Sequence, residues 1–211
     1  MSEENPKPYS LDCYDEEFYV NNRLEGCLMA QWFVPLLWDT FKAETLVDVG
    51  CGCGHYLAAY QRQLKKINLY EYNVFGLEGS VWAVNNPIQN DVDISLMDLR
   101  KPIHKLWSYE LALCLEVAEH IEAEYADVFI DNLCTLSDTI VFTSAPIGAG
   151  GEHHVNEQWP NYWQEKFAQR NYFIDATDTY KMRRGIILAK KMGGYVTDWM
   201  MENLYVYKKR N

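Results

Sequence analysis

The stretch Thr45-Leu46-Val47-Asp48-Val49-Gly50-Cys51-Gly52-Cys53-Gly54-His55 constrains this chain more than any other. A short apolar run carries one acidic residue, and three glycines then alternate at positions 50, 52 and 54. The periodicity changes at Tyr56, Leu57, Ala58, Ala59 and Tyr60 to that of a helix. Strand, glycine turn and helix start together make a nucleotide-binding corner. Glycine accepts backbone angles that side chains resist and lets a ligand come close to the main chain. The free N–H groups of the following helix favour an anionic group. The spacing is not the G-x-G-x-x-G of a dinucleotide turn, because His55 stands where the third glycine would be. No G-x-x-x-x-G-K-[ST] phosphate loop occurs.

With 211 residues the chain reads as one domain with room for a full α/β core. Nineteen basic against thirty acidic residues leave a formal charge of −11, a field that repels phosphate backbones and disfavours a nucleic-acid substrate. Lys208-Lys209-Arg210 is too short a cluster to reverse that. No run approaches the roughly 18 apolar residues of a membrane helix, and Met1 to Pro8 is polar rather than signal-like. Six cysteines form neither a C-x-x-C pair nor a zinc spacing, which fits a reducing cytoplasm. The sequence leaves the oligomeric state open.

Residues 1 to about 10 read as disordered. Leu11 to Phe41 is aromatic-rich and helical in spacing, with Pro35 starting or kinking a segment. A helix runs from the glycine turn to about Lys66. Strands are expected over Asn73–Glu78, Asp93–Leu99, Tyr109–Leu115 and Thr139–Pro146, then at Asn171–Phe173. A last strand is expected in the tail, from Trp199 through Glu202–Lys209. Glu78 closes the second strand, where a carboxylate can accept both hydroxyls of a ribose. Glu116, Glu119 and His120 stand at i, i+3 and i+4, which on a helix puts two carboxylates and an imidazole on one face. Acidic residues suit a helix's first turn without any ligand. The reading adopted assigns no metal there, and a divalent ion at these residues is an alternative implied only by the resemblance given next. Gly148, Gly150 and Gly151 make a mobile connection into a polar, aromatic stretch over residues 152–163.

The D-x-G-x-G-x-G turn, the carboxylates that follow it in order, and the Leu115-Glu116-Val117-Ala118-Glu119-His120-Ile121 segment resemble the class I S-adenosylmethionine-dependent methyltransferases from about Leu46 to Tyr207. The resemblance implies a doubly wound, seven-stranded α/β sheet, mostly parallel with an antiparallel last strand and helices on both faces. Residues 1–41 would be a helical lid and residues 42–211 a Rossmann-like core. It implies S-adenosylmethionine as cofactor, S-adenosylhomocysteine as product, and a cofactor site at Asp48, Gly50, Cys51, Gly52, Gly54, Glu78, Gly79, Asp98, Leu99, Leu115 and Glu116. Asp98 would take the adenine amino group while Leu99 packs on the ring. The region after strand five hangs over the methyl in this family, which implies His154 as general base. Tyr14, His120, Asn156, Trp159 and Tyr162 would then contact the acceptor. The segment after strand four departs from the N/D-P-P-Y/F of amino-methyltransferases acting on adenine or glutamine.

The expected function is therefore methyl transfer to an oxygen or nitrogen of a small molecule or glycan. A non-catalytic nucleoside-binding partner protein, or a methyltransferase of protein or RNA, is the alternative. The polar groups over residues 152–163 favour catalysis.

Overall fold

A computed structural model describes residues 14–104 and 108–210 of the chain. Residues 1–10, read above as disordered, lie outside the described residues.

The chain opens with α1 (Glu16–Phe41), capped by the Asp15 carboxylate accepting from the Phe18 amide at 3.2 Å. Pro35 sits inside this single helix rather than starting it. Then come β1 (Thr45–Val49), α2 (His55–Lys66), β2 (Asn73–Glu78), α3 (Val81–Asn85), β3 (Asp93–Leu96) and β4 (Leu111–Leu115). The second half holds α4 (Ala126–Leu136), β5 (Thr139–Thr143), α5 (Pro160–Ala168), β6 (Tyr172–Ile174), α6 (Ala176–Lys191), α7 (Asp198–Asn203) and β7 (Tyr205–Lys209).

The strands form one seven-stranded sheet in the order β3-β2-β1-β4-β5-β7-β6. β7 runs antiparallel to both its neighbours, and the remaining pairings are parallel. The expected sheet, with its reversed last strand, is what the chain forms. Alternate residues of each strand feed opposite layers. Leu46, Leu113 and Val141 join one core with Phe33 and Leu37 of α1, Leu57 and Leu64 of α2, and Met182 and Ile186 of α6. Val47, Ala112, Cys114 and Phe142 join the other with Phe129 and Leu133 of α4 and Phe167 of α5. Both faces of the sheet are thus buried, which is why its central strands read as continuous apolar runs.

Two expectations about elements need correction, and one helix was not expected. Trp199, Glu202 and Asn203 lie in or at the end of α7, not in the last strand, which begins at Tyr205. The chain from Glu116 to His120 is not a regular helix face. Glu116 has φ of +55°, and only Ala118–His120 form a short 3₁₀ turn. α6 had no counterpart in the sequence reading, because Tyr180, Ile187 and Leu188 are exposed on it and blur its apolar stripe.

β1 lies between β2 and β4, where the strand order turns back on itself. In open α/β sheets ligands bind beyond the carboxyl ends of strands at such a switch point. The Gly50–Gly54 turn leaves β1 at that place.

Candidate active site

Two adjoining cavities open over the carboxyl ends of β1, β2 and β4. The first is lined by Tyr14, Tyr19, Gly50, Glu78, Asp98 and His120, among others. The second runs along the glycine turn past Asp48, Cys51, His55 and Leu115 to His154 and Trp199. Phe18, Tyr19, Gly50, Gly52 and Glu116 border both, so the two form one continuous site.

The turn is built for close approach. Gly50 has φ of +75°, and a Cβ there would meet the Val117 Cγ2 at 2.4 Å. The Glu78 carboxylate crosses to the turn and accepts the Gly52 amide at 2.7 Å and the Ser80 amide at 2.8 Å. The Tyr19 hydroxyl reaches the same carboxylate at 3.4 Å while its ring stacks on Trp82 at 5.6 Å. Burial raises the Glu78 pKa, and the amides of Ser80, Gly52 and Gly79 oppose that shift. Asp48, sealed beneath the turn, is pushed up to about 8 by burial and then by Glu78.

Asp98 and Leu99 follow β3 as expected and line the first cavity. The Asp98 carboxylate is already engaged, with Arg100 Nε donating at 2.9 Å and Lys101 Nζ at 3.3 Å. Its Arg100 partner, which the sequence reading did not single out, also reaches Glu122 at 3.3 Å.

At the far wall the chain from β4 and the loop after β5 meet. The amides of Val155 and Asn156 both donate to the Glu119 carbonyl at 2.9 Å, tying the two segments together. This brings His154 to His120, their rings 4.8 Å apart and nearly perpendicular. His120 Nδ1 lies 3.2 Å from the His153 carbonyl, and His154 Nδ1 lies 2.9 Å from the Glu157 carboxylate. Burial lowers the His120 pKa to about 4, so this imidazole is neutral near pH 7. Glu119 is fully buried, and burial followed by repulsion from Glu116 pushes its carboxyl well above the ordinary range. The amides of Glu119 and Ala145 oppose that shift, and the Glu116 and Glu119 carboxyls lie close enough to share a hydrogen bond.

Of the expected cofactor residues, Asp48, Gly50, Cys51, Gly52, Glu78, Gly79, Asp98, Leu99, Leu115 and Glu116 all border the two cavities. Gly54 instead caps α2 in the left-handed conformation. Among the expected acceptor residues, Tyr14 and His120 line the first cavity. The other three stand off both walls. Asn156 is buried behind the site with its side chain bonded to Gln158. Trp159 is 55% exposed ahead of α5, and Tyr162 packs on Trp163 and beneath Lys166. The stretch over residues 152–163 thus contributes His154 to the cavity while Tyr162 and Trp163 serve the α5 packing. Phe18, Tyr19, His55, Tyr56 and Trp199 also border the site. Tyr19 borders both cavities, as the resemblance implied for it beside Tyr14 in the aromatic helix covering the cofactor, whereas Trp199 had no signal, because it arrives from the other end of the chain.

No protein-family model and no curated protein matches the sequence. Solved structures do match its shape. A sugar N-methyltransferase, KedS8, from a Streptoalloteichus species superposes over 100% of this chain and 99% of its own, with a TM-score of 0.67 at 12% identity. The fold is that of the class I methyltransferases. Plantazolicin methyltransferase BpumL, solved with S-adenosylhomocysteine and a triazolic desmethylPZN analogue, shares this methyltransferase fold over 92% of this chain and 89% of its own. Its TM-score is 0.62 at 14% identity. The [4+2]-cyclase SpnF shares the fold as well, over 85% of this chain and 80% of its own, with a TM-score of 0.53 at 13% identity.

Proposed function

We propose that the protein is an S-adenosylmethionine-dependent methyltransferase acting on an oxygen or nitrogen of a small molecule or glycan. The observation that carries this is the continuous cavity from Asp98 and Glu78, past the Gly50–Gly52 turn, to His154. A nucleoside at one end puts a reactive sulfonium near the middle and an acceptor at the far wall. The cofactor-product complexes of BpumL belong to the same fold and agree with such an occupant.

The sulfonium is already a strong electrophile, so the protein's tasks are alignment and exclusion of water. Glu78 would hold the ribose hydroxyls, and Tyr14, Phe18 and Tyr19 of the lid segment would close the adenosine end. At the other end His154 would activate a hydroxyl acceptor. With its proton on Nδ1, 2.9 Å from the Glu157 carboxylate, His154 would present the Nε2 lone pair, the tautomer a general base requires. That lone pair would take the proton as the acceptor oxygen attacks the methyl carbon and the carbon–sulfur electrons return to sulfur. The net charge of −11 disfavours a nucleic-acid acceptor.

A second reading rests on SpnF, which shows that this fold also carries cyclisation chemistry. One experiment separates the two. The protein is titrated with S-adenosylhomocysteine and with NAD by calorimetry, then incubated with methyl-labelled S-adenosylmethionine and a panel of sugars and hydroxylated or amino small molecules. Saturable binding of the nucleoside and label in an acceptor are expected. Binding of NAD alone overturns the reading, and nucleoside binding without transfer to any acceptor favours the second.

A further inference from the structure

We propose that the methyl acceptor is an amine, held by its N–H groups between the imidazoles of His120 and His154. The inference rests on the methyltransferase reading above and selects nitrogen from the two acceptor atoms that reading leaves open.

At the far wall both imidazoles are set as acceptors. The His153 carbonyl can only accept, so the His120 Nδ1 lying 3.2 Å from it carries the ring proton and Nε2 carries a lone pair. His154 is oriented in the same way. The Glu157 carboxylate, 2.9 Å from its Nδ1, also accepts the amides of Gly148 and Gly150, each at 2.8 Å. His154 and these amides hold Glu157 below the usual carboxylate range, so it stays an acceptor and His154 Nδ1 keeps the proton. No described residue hydrogen-bonds to either Nε2. A Cβ on Gly151 would collide with the His154 ring at 2.3 Å, so the glycine-rich connection is shaped around this imidazole. Beside the pair, the hydrogen bond that Glu116 and Glu119 are close enough to share keeps its one proton between them. Among the described residues no lysine or arginine lines the second cavity, and Arg100 in the first is bound to Asp98 and Glu122.

The spacing and the proton count both select an amine. Two hydrogen bonds of about 2.9 Å leaving one nitrogen at the tetrahedral angle place their acceptors roughly 4.7 Å apart. One nitrogen of each imidazole and one oxygen of Glu119 lie no more than 4.8 Å from one another. A hydroxyl has a single proton to give, so its lone pairs would face the second imidazole nitrogen and leave it unpartnered. A carboxylate or phosphate has no proton to give and would meet Glu116, which borders both cavities. Phe18 and Tyr19 also border both, and Trp199 the second, and aromatic faces attract an N–H-bearing cation. The chain's charge of −11 favours the approach of such a cation.

The two imidazoles divide the work. His154 Nε2 takes one proton from the ammonium and frees the nitrogen lone pair, while His120 Nε2 accepts a remaining N–H and fixes its direction. The lone pair forms the carbon–nitrogen bond to the methyl as the carbon–sulfur electrons return to sulfur. The product leaves as the N-methylammonium, and His154 passes its proton to water.

Full-length protein with nitrogen-15 in its histidines is followed by long-range proton–nitrogen NMR, with and without S-adenosylhomocysteine. Glucosamine, tyramine and cyclohexylamine are each titrated against the hydroxyl counterpart, glucose, tyrosol and cyclohexanol, and His120→Asn and His154→Asn assign the two rings. Both rings should show the proton on Nδ1. At least one amine should shift both Nε2 signals saturably, about tenfold or more tighter than its alcohol. His120→Ala should weaken that amine by roughly 2- to 12-fold, the loss of one ordinary hydrogen bond. A proton on Nε2 of either ring, no amine that moves both signals, or an alcohol that binds as tightly as its amine overturns the inference in wild-type protein, whatever the variants do. With methyl-labelled S-adenosylmethionine the label should enter the amine of a pair, and label in the alcohol alone refutes this inference while leaving the methyltransferase reading intact. Amine shifts in a protein that does not bind S-adenosylhomocysteine refute the methyltransferase reading and leave the amine site standing.

Discussion

Replacement of Glu78 by alanine tests the cofactor end of the site most directly. The wild-type carboxylate is 7% exposed and accepts two amides at 2.7 and 2.8 Å. Hydrogen bonds to a charged group contribute about 1.5–3 kcal/mol each. The Gly52 amide borders the cavity and is rehydrated once the side chain is gone, so the stability loss should fall to about 1–3 kcal/mol in total. For a chain of this size that lowers the melting temperature by about 2–12 °C, at roughly 2–4 °C per kcal/mol. The same carboxylate is the proposed ribose acceptor, so S-adenosylhomocysteine affinity should drop by about 1–3 kcal/mol, or roughly 5- to 150-fold. Glu78→Gln keeps one acceptor oxygen and should fall between the two in both measurements. Calorimetry on protein verified as folded by circular dichroism reads the affinity. An alanine variant that binds within a factor of two of wild type would show that the carboxylate only braces the turn and that another group holds the ribose.

His154→Ala should lower kcat on an acceptor from the panel by about 10²–10⁴-fold while leaving S-adenosylhomocysteine affinity within a few-fold, and undiminished turnover would remove His154 from the chemistry. Asp48 keeps its proton in the folded chain up to about pH 8, whereas the unfolded chain releases it near the ordinary carboxylate value. Its contribution is thus present at low pH and lost as pH rises toward 8. Above the unfolded histidine pKa, Asp48→Asn should therefore flatten the fall of stability between about pH 6.5 and 8, a slope of at most about 1.4 kcal/mol per pH unit, as read by urea melts across that range. An unchanged slope would mean that Asp48 is ionised in the native protein. Phe167 is fully buried with its ring stacked on Tyr207 at 3.9 Å, so Phe167→Ala should cost about 3–5 kcal/mol in denaturant midpoints and leave the cavity walls in place. A loss under about 1 kcal/mol would mean that this core layer collapses readily around the gap.

The sequence by itself determined the parts of this protein in which neighbours along the chain decide the outcome. The apolar run at Leu46–Val49, the alternating glycines and the helical spacing after His55 are local signals, and they became β1, the turn and α2. Glu78 was legible because it closes the apolar run that became β2, which pairs with β1 up to Val49 opposite Leu77. Only the tertiary structure decided the far wall. The left-handed backbone of Glu116 broke the helix that its spacing suggested, since its amide turns back to the Thr143 hydroxyl of β5 at 2.9 Å. His154 meets His120 because two amides from beyond β5 bond one carbonyl after β4, a contact with no local pattern. Trp199 comes to the cavity on α7 because β7 inserts between β5 and β6, and sheet order is set by long-range pairing. Local propensity fixes which segments become strands and helices, while the order in which a sheet gathers them fixes which side chains share a cavity.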